Sequence, residues 1–171
     1  MAEEARLMDQ SASTASEREG KYLTFTLAKE DYGIGIRKIK EIIGMMPVTP
    51  VPRTPEFVKG VINLRGKIIP VVDLRLRFGM VEMDYTERTC IVVVEIESQA
   101  GVLTTGIVVD SVSEVLNIKA ESIEDAPAFG AGVDTHYILG MAKVEGRVKI
   151  LLDIDQVLRS EEMSILKDLS K

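Results

Sequence analysis

The sequence has little of what most enzymes and metalloproteins use. It contains one cysteine, no tryptophan and one histidine, and aromatic residues make up only 5% of it. A single cysteine, Cys90, excludes an internal disulfide and a cysteine-rich zinc site, and it is typical of the reducing cytoplasm. The single histidine, His136, gives no basis for a histidine metal site or a histidine-paired nucleophile. We therefore expect neither a metal nor a cofactor.

Long apolar runs and an excess of basic residues are also missing. The apolar stretches are strand-sized, short of the ~18 residues of a membrane span, and residues 1–20 lack the apolar core of a signal peptide. Acidic residues outnumber basic ones by 27 to 21, which argues against a basic surface for nucleic acid or membrane. The 171 residues correspond to about one domain. We expect a soluble cytoplasmic protein that neither binds nucleic acid nor inserts into a membrane.

Strand patterns cover most of the chain from Lys21 onward. Tyr22–Leu27 alternates apolar and polar residues, whereas Thr89–Ile96 is almost continuously β-branched, as in a strand buried on both faces. The polar residues 1–20 show no periodicity and predict a flexible tail. Further strands are predicted at Tyr32–Ile36, Gly60–Leu64, Lys67–Val72, Leu103–Val109, Tyr137–Ala142 and Arg147–Leu152, and helices at Ile154–Leu158 and Glu161–Leu169.

The chain also contains an internal repeat. Residues 33–43, GIGIRKIKEII, match residues 106–116, GIVVDSVSEVL. The spacing of Gly60, Gly66 and Asp73 recurs in Gly140, Gly146 and Asp153. Two such halves predict two small β-barrels packed together, since barrel closure removes the exposed edges of short strands. We assign the halves to residues 21–85 and 86–160, followed by a C-terminal helix at 161–171.

Positions that match between the halves are best explained by a shared scaffold. Gly66 and Gly146 are predicted in tight turns, where positive φ suits glycine. Asp73 and Asp153 each follow a strand and precede a helical turn, which predicts N-capping. These four residues are therefore interpreted as structural.

Positions that differ between the halves are candidates for a special role. In the repeat, Glu145 stands at the position equivalent to Arg65. An arginine at a hairpin tip either binds a carboxylate of another element or protein, or is simply solvated. Glu41 is matched by Glu114, so the repeat makes it partly structural, and a Glu41–Arg65 pair stays an open alternative. Phe129, alone among small residues, either fills the core or anchors a partner.

Met46–Pro55 contains four prolines and is either an adaptable apolar binding surface or a rigid loop packed on its own barrel. No nucleotide-binding or nucleophile motif is present, Cys90 is expected to be buried and inert, and capping accounts for Asp153 and Asp155. We expect no enzymatic activity.

With these residues in place, the chain resembles the CheW family of bacterial chemotaxis coupling proteins. The most specific segment is Lys59-Gly-Val-Ile-Asn-Leu-Arg-Gly66, followed by Pro70-Val-Val-Asp-Leu-Arg75. Other segments that carry the resemblance are Phe25–Leu27, Tyr32–Ile34, Ile39–Ile42, Thr54–Val61, Gly106–Asp110 and Glu161–Met163.

The resemblance implies a mainly β fold of two packed SH3-like five-stranded barrels with a C-terminal helix and no enzymatic activity. It implies a cytoplasmic adaptor, monomeric alone, that couples chemoreceptor cytoplasmic tips to the regulatory domain of the CheA histidine kinase in membrane-anchored arrays. By the same resemblance, Ile39, Glu41, Gly60 and Arg65 are partner-binding residues, and Phe129 belongs to a segment associated with ring-like assembly.

Three alternatives to this function remain, one with the same fold and two from other classes of protein. The same fold could serve a different chemosensory pathway, such as one controlling surface motility or gene expression. A ligand-binding or nucleic-acid-binding barrel is disfavoured by the scarcity of aromatic residues and the acidic charge. An enzyme would have to rely on Asp73, Asp110, Asp153 or His136, which form no recognisable constellation.

Overall fold

The computed structural model describes residues 18–98, 101–128 and 135–158. The predicted helix at 161–171 and Phe129 lie outside the described residues, as do residues 1–17 of the predicted tail. The strands are β1 (Gly20–Leu27), β2 (Glu30–Gly35), β3 (Ile39–Gly44), β4 (Val58–Leu64), β5 (Lys67–Asp73), β6 (Cys90–Ser98), β7 (Gly101–Val109), β8 (Ser111–Ile118), β9 (Ile123–Glu124), β10 (Ile138–Val144) and β11 (Arg147–Leu152). Short α-helices at Leu74–Arg77 and Ile154–Val157 follow β5 and β11, and 3₁₀ turns occupy Ile36–Lys38 and Ala120–Ser122. In the part of the chain that is described, no helix is long and apolar enough to cross a membrane.

The mainly β fold is confirmed, and every predicted strand is present. Three strands were not predicted: β3, β8 and the two-residue β9. Their signal is weak because β3 and β8 mix exposed charged residues with apolar ones, as edge strands do. The predicted tail also extends too far, since Arg18 is held to Asp125 by a 2.7 Å ion pair and Gly20 already begins β1.

Two sheets make up the described fold. Subdomain A has the strand order β8-β1-β2-β11-β10-β9, and subdomain B has the order β3-β6-β7-β5-β4. The prediction of five strands in each holds for subdomain B, and in subdomain A the short β9 is a sixth. All pairs are antiparallel except β5–β7 and β2–β11.

The predicted boundary between the halves is wrong as a boundary between subdomains. Subdomain A combines β1 and β2 from the first half with β8 to β11 from the second, and subdomain B takes β6 and β7 from the second half. The two parallel pairs join equivalent positions of the repeat, with Val71 opposite Gly106 and Leu151 opposite Gly33. Each half therefore gives its first hairpin to the other half.

The main hydrophobic core lies between the two sheets and uses residues of both. Strand alternation divides β6 between two cores, as Val92 and Val94 enter the inter-sheet core while Ile91 and Val93 enter the core of subdomain B. All four residues are fully buried. This two-sided burial explains the continuous apolar sequence of β6.

The segment from Met46 to Pro55 is a loop packed on its own subdomain. Met46 and Val48 pack against the core of subdomain B, together with Met45. Thr49 pairs with Val61 of β4, with N···O distances of 2.8 and 2.9 Å. The packed-loop interpretation therefore fits better than a free apolar binding surface.

Candidate partner-binding site

Glu41 and Arg65 form an ion pair between β3 and the β4–β5 hairpin of subdomain B. The guanidinium Nη2 of Arg65 donates to Oε1 of Glu41. The Arg65 side chain is 67% exposed and that of Glu41 is 25% exposed. The pair that the sequence left open is thus present, and it ties an edge strand to a hairpin tip while leaving most of the guanidinium accessible.

The hairpin turn fixes where Arg65 points. Arg65 and Gly66 form a two-residue loop between Leu64 and Lys67, and their φ angles of 51° and 87° are both positive. Positive φ at both positions is typical of a type I′ turn, whose twist matches that of the flanking strands. The Gly66 N–H donates to Oδ1 of Asn63 at 2.9 Å, which further stabilises the turn.

The equivalent turn in the second half has the same backbone conformation, with a glutamate in place of the arginine. Glu145 and Gly146 have φ angles of 50° and 78° between β10 and β11. The backbone geometry is therefore a shared scaffold, while the side chain at the tip differs. This comparison shows that a glutamate is compatible with the strained position that Arg65 occupies.

Gly60 is required by close backbone packing. A Cβ on Gly60 would lie 2.0 Å from the carbonyl oxygen of Thr49 and 2.9 Å from the Cα of Pro50. Its φ of +141° is also unfavourable for other residues. The structure thus gives Gly60 a steric role in subdomain B, whether or not a partner touches it.

Strands β3 and β5 also carry Ile39, Ile42 and Ile68, and sequence reasoning identified only Ile39 among them. Glu41 pairs with Val93 and Ile42 with Val92 of β6, so Glu41 and Ile42 point to opposite faces of the sheet. Ile39 is half-buried and packs against the inter-sheet core. Ile42 on β3 is 43% exposed and Ile68 on β5 is 53% exposed. The sequence offers no signal for Ile42, because Ile42 and Ile43 are both isoleucine and only the burial pattern of β3 shows that Ile42 is the exposed one.

The carboxylates of the enzyme alternative have structural partners. Asp73 caps the helix that follows it, as Oδ1 accepts the N–H of Arg75 at 3.0 Å and Oδ2 accepts the Tyr85 hydroxyl at 3.1 Å. Asp110 receives two bonds from the Arg75 guanidinium, with the Nε–Oδ1 contact at 2.6 Å. Asp153 accepts the N–H of Gln156 at 3.3 Å.

These contacts explain two shifted pKa values. Burial, followed by the charge of Asp73 and its hydrogen bond, raises the pKa of the Tyr85 phenol well above its ordinary value. The hydrogen bond to Asp110 raises the pKa of Arg75. Both shifts favour the protonation state present at neutral pH, so neither group is prepared for proton transfer.

The remaining candidates for chemistry are peripheral. His136 is exposed, with its ring 6.1 Å from that of Tyr137. Cys90 is half-buried rather than buried as expected, and its thiol donates to the Arg88 carbonyl at 3.1 Å. No group of three or more metal-ligating side chains occurs in residues 18–98, 101–128 and 135–158.

Comparisons with known proteins converge on one family. Residues 21–162 match the family model described as the CheW-like domain. The chain is 43% identical over 150 residues to the chemotaxis protein CheW of Klebsiella aerogenes, covering 88% of each protein. It is 34% identical to the chemotaxis protein CheW of Rhizobium meliloti, covering 82% of this chain and 88% of that one. The crystal structure of the scaffolding protein CheW from Thermoanaerobacter tengcongensis superposes with a TM-score of 0.73 at 37% identity, covering 84% of this chain and 95% of that chain.

Proposed function

Because this chain belongs to the CheW-like family, we propose that it joins the cytoplasmic tips of chemoreceptors to the regulatory domain of a CheA histidine kinase. Its role is that of a coupling adaptor in chemotaxis signalling. The two partners, and recruitment to membrane-anchored receptor arrays in the cytoplasm, are the specific part of the proposal. No catalytic step is assigned to the chain.

The observation that supports this proposal most directly is the Glu41–Arg65 pair, whose arginine side chain is largely exposed. Ile42 and Ile68 are further exposed apolar side chains of the same sheet. Protein interfaces combine apolar contacts with charged residues that fix register and partner choice. Arginine is one of the residue types enriched among those that contribute most to binding. We therefore assign a partner contact to this surface of subdomain B, which we call the Glu41–Arg65 surface.

The other predicted binding residues enter the proposal in different ways. Ile39 begins β3 beside the inter-sheet core, so it would be contacted at the junction of the two subdomains. Gly60 acts through the packing of its backbone. Phe129 stays a proposed contact for ring-like assembly. Single contacts are expected to have micromolar affinity, with multivalency in an array supplying the rest.

Calorimetric titration tests the proposal. The wild type and the variants Arg65→Glu, Glu41→Ala and Phe129→Ser are titrated against two ligands from the same organism, a CheA regulatory domain and a receptor cytoplasmic fragment. Glu145→Arg is a matched control, because it makes the reciprocal change at the equivalent turn position. We expect wild type to bind both ligands and Arg65→Glu to weaken one of them by about tenfold, a loss of about 1.4 kcal/mol.

The fold should survive the Arg65→Glu change. Exposed ion pairs contribute only about 0.2–1 kcal/mol to stability, and Glu145 already occupies the same backbone conformation. An unfolded circular dichroism spectrum for Arg65→Glu would make Arg65 structural and contradict the assignment. If folded wild type binds neither ligand, the proposed coupling function is wrong for this chain.

A further inference from the structure

The described chain passes between the two subdomains at two places, which we call crossovers, and a residue at each crossover forms an ion pair. One crossover is the 3₁₀ turn Ile36–Lys38 between β2 and β3, and the other is Asp110 between β7 and β8. Each is bound by a residue of the short helix that ends one half of the repeat, Asp155 in the first case and Arg75 in the second. Arg75 and Asp155 are equivalent positions of the repeat, so the charges of the two pairs are reversed.

The Arg75–Asp110 pair is the more constrained of the two. It is bidentate, the Arg75 side chain is only 12% exposed, and Oδ2 of Asp110 also accepts the N–H of Ala28 at 2.9 Å. Bidentate arginine–carboxylate pairs have a defined geometry as well as greater strength. This pair therefore fixes one side of the junction.

The Lys38–Asp155 pair has a single contact, and its cation is more exposed than Arg75 is, although Asp155 is less exposed than Asp110. Nζ of Lys38 lies 2.6 Å from Oδ2 of Asp155, and the two side chains are 34% and 16% exposed. Oδ1 of Asp155 accepts the N–H of Glu97 in β6 at 3.0 Å. Asp155 thus connects the crossover turn to β6, the strand that pairs with β3.

The start of β3 is also held by packing of Ile39 on the inter-sheet core and by the ion pair of Lys40 with Glu95 of β6, at 3.9 Å. Ile39 follows Lys38 directly, and the pairing with β6 is irregular between Ile39 and Glu41. A bulge of this kind interrupts the regular ladder and redirects the neighbouring side chains. Because Lys38 directly precedes this irregular segment, its ion pair adds a restraint where the regular ladder is interrupted.

We propose that Lys38 and Asp155 are positioning residues of the Glu41–Arg65 surface: their ion pair holds the irregular start of β3 so that Glu41 meets Arg65. Loss of the pair frees the crossover turn without disturbing the buried inter-sheet core. The part of this inference that concerns partner affinity rests on the proposed function, whereas the part that concerns β3 does not.

Amide hydrogen exchange of the whole chain, followed by NMR, tests the effect on β3. Lys38→Met and Asp155→Asn should speed exchange in Ile39–Gly44 by about threefold, as expected for losing a partly exposed pair. Asparagine keeps an acceptor oxygen for the N–H of Glu97 while removing the negative charge that faces Lys38. Lys38→Arg retains the charge and should exchange like wild type. Glu124→Gln is the control, because it removes a 2.6 Å ion pair with Lys143 inside subdomain A.

Two exchange results would overturn the inference. One is unchanged exchange in β3 of Lys38→Met. The other is an equal acceleration throughout the chain, which would make the pair a general stabiliser with no positioning role.

A double-mutant cycle tests the route through Glu41. Lys38→Met is expected to weaken the partner that Arg65→Glu weakens, by about threefold, and to have no further effect in an Arg65→Met background. Fully additive effects would show that Lys38 does not act through the Glu41–Arg65 pair. If wild type binds no partner, the proposed function fails, and hydrogen exchange alone decides whether Lys38 positions β3.

Discussion

Gly60→Ala is a direct test of the packing in subdomain B. The added Cβ would lie 2.0 Å from the carbonyl oxygen of Thr49, which is backbone and cannot move aside as a side chain would. Relief requires Thr49 to leave β4, with loss of its two hydrogen bonds to Val61. Two lost hydrogen bonds cost about 2 kcal/mol, and the positive φ of a non-glycine residue adds about 1 kcal/mol.

The expected loss for Gly60→Ala is therefore about 3 kcal/mol, which lowers the melting temperature by about 6–12 °C for a chain of this size. Urea denaturation followed by circular dichroism measures it. Gly44→Ala is the control, since its φ is not positive and no atom lies within 4 Å of the added Cβ. A Gly60→Ala protein as stable as wild type would refute the close approach, and lost partner binding at full stability would instead make Gly60 a contact residue.

Other predictions follow from the same structure. Asp73→Ala should cost about 2–3 kcal/mol in urea denaturation and Asp153→Ala about 1 kcal/mol, because Asp73 is buried and bonds Tyr85 besides its helix; the reverse order would contradict this reasoning. The pKa of Tyr85 is raised in the folded protein, so the folded phenol stays neutral where the unfolded one ionises. Stability should consequently fall as pH rises past about 10, and Tyr85→Phe should reduce that fall when denaturation is compared at about pH 8 and about pH 11. Fragments 21–85 and 86–160 should be unfolded when alone and form β structure when mixed, because each sheet needs strands of both; a fragment that folds alone would exclude the exchanged arrangement.

Much of the local structure could be predicted from the sequence. Alternating and continuous apolar segments located β1 and β6, and the repeated glycines marked turns whose φ is indeed positive at Gly66 and Gly146. These features depend on residues close together in the chain. The edge strands β3 and β8 were missed because each mixes exposed charged residues with apolar ones, which weakens the apolar pattern.

The Glu41–Arg65 surface was only partly predictable. Arg65 is identifiable because Glu145 occupies the equivalent position of the repeat. A pair between Arg65 and Glu41 was one of the alternatives that the sequence left open. Ile42 and Ile68 were not selected, since an exposed isoleucine and a buried one look alike in sequence. Their exposure depends on which face of each strand the rest of the fold covers.

By itself, the sequence determined the class of fold, the two equivalent halves, the turns and caps, and the family to which the chain belongs. Only the tertiary structure decided that the halves exchange their first hairpins, that Glu41 meets Arg65, and that Lys38 and Asp155 bridge the crossover between the subdomains. The physical reason lies in the repeat. Because the halves are alike, a hairpin has equivalent pairing positions in its own half and in the other. Both observed parallel pairs, Val71–Gly106 and Leu151–Gly33, join one half to the other. Local pattern is the same in both arrangements, and the choice between them is made by long-range packing of the whole chain.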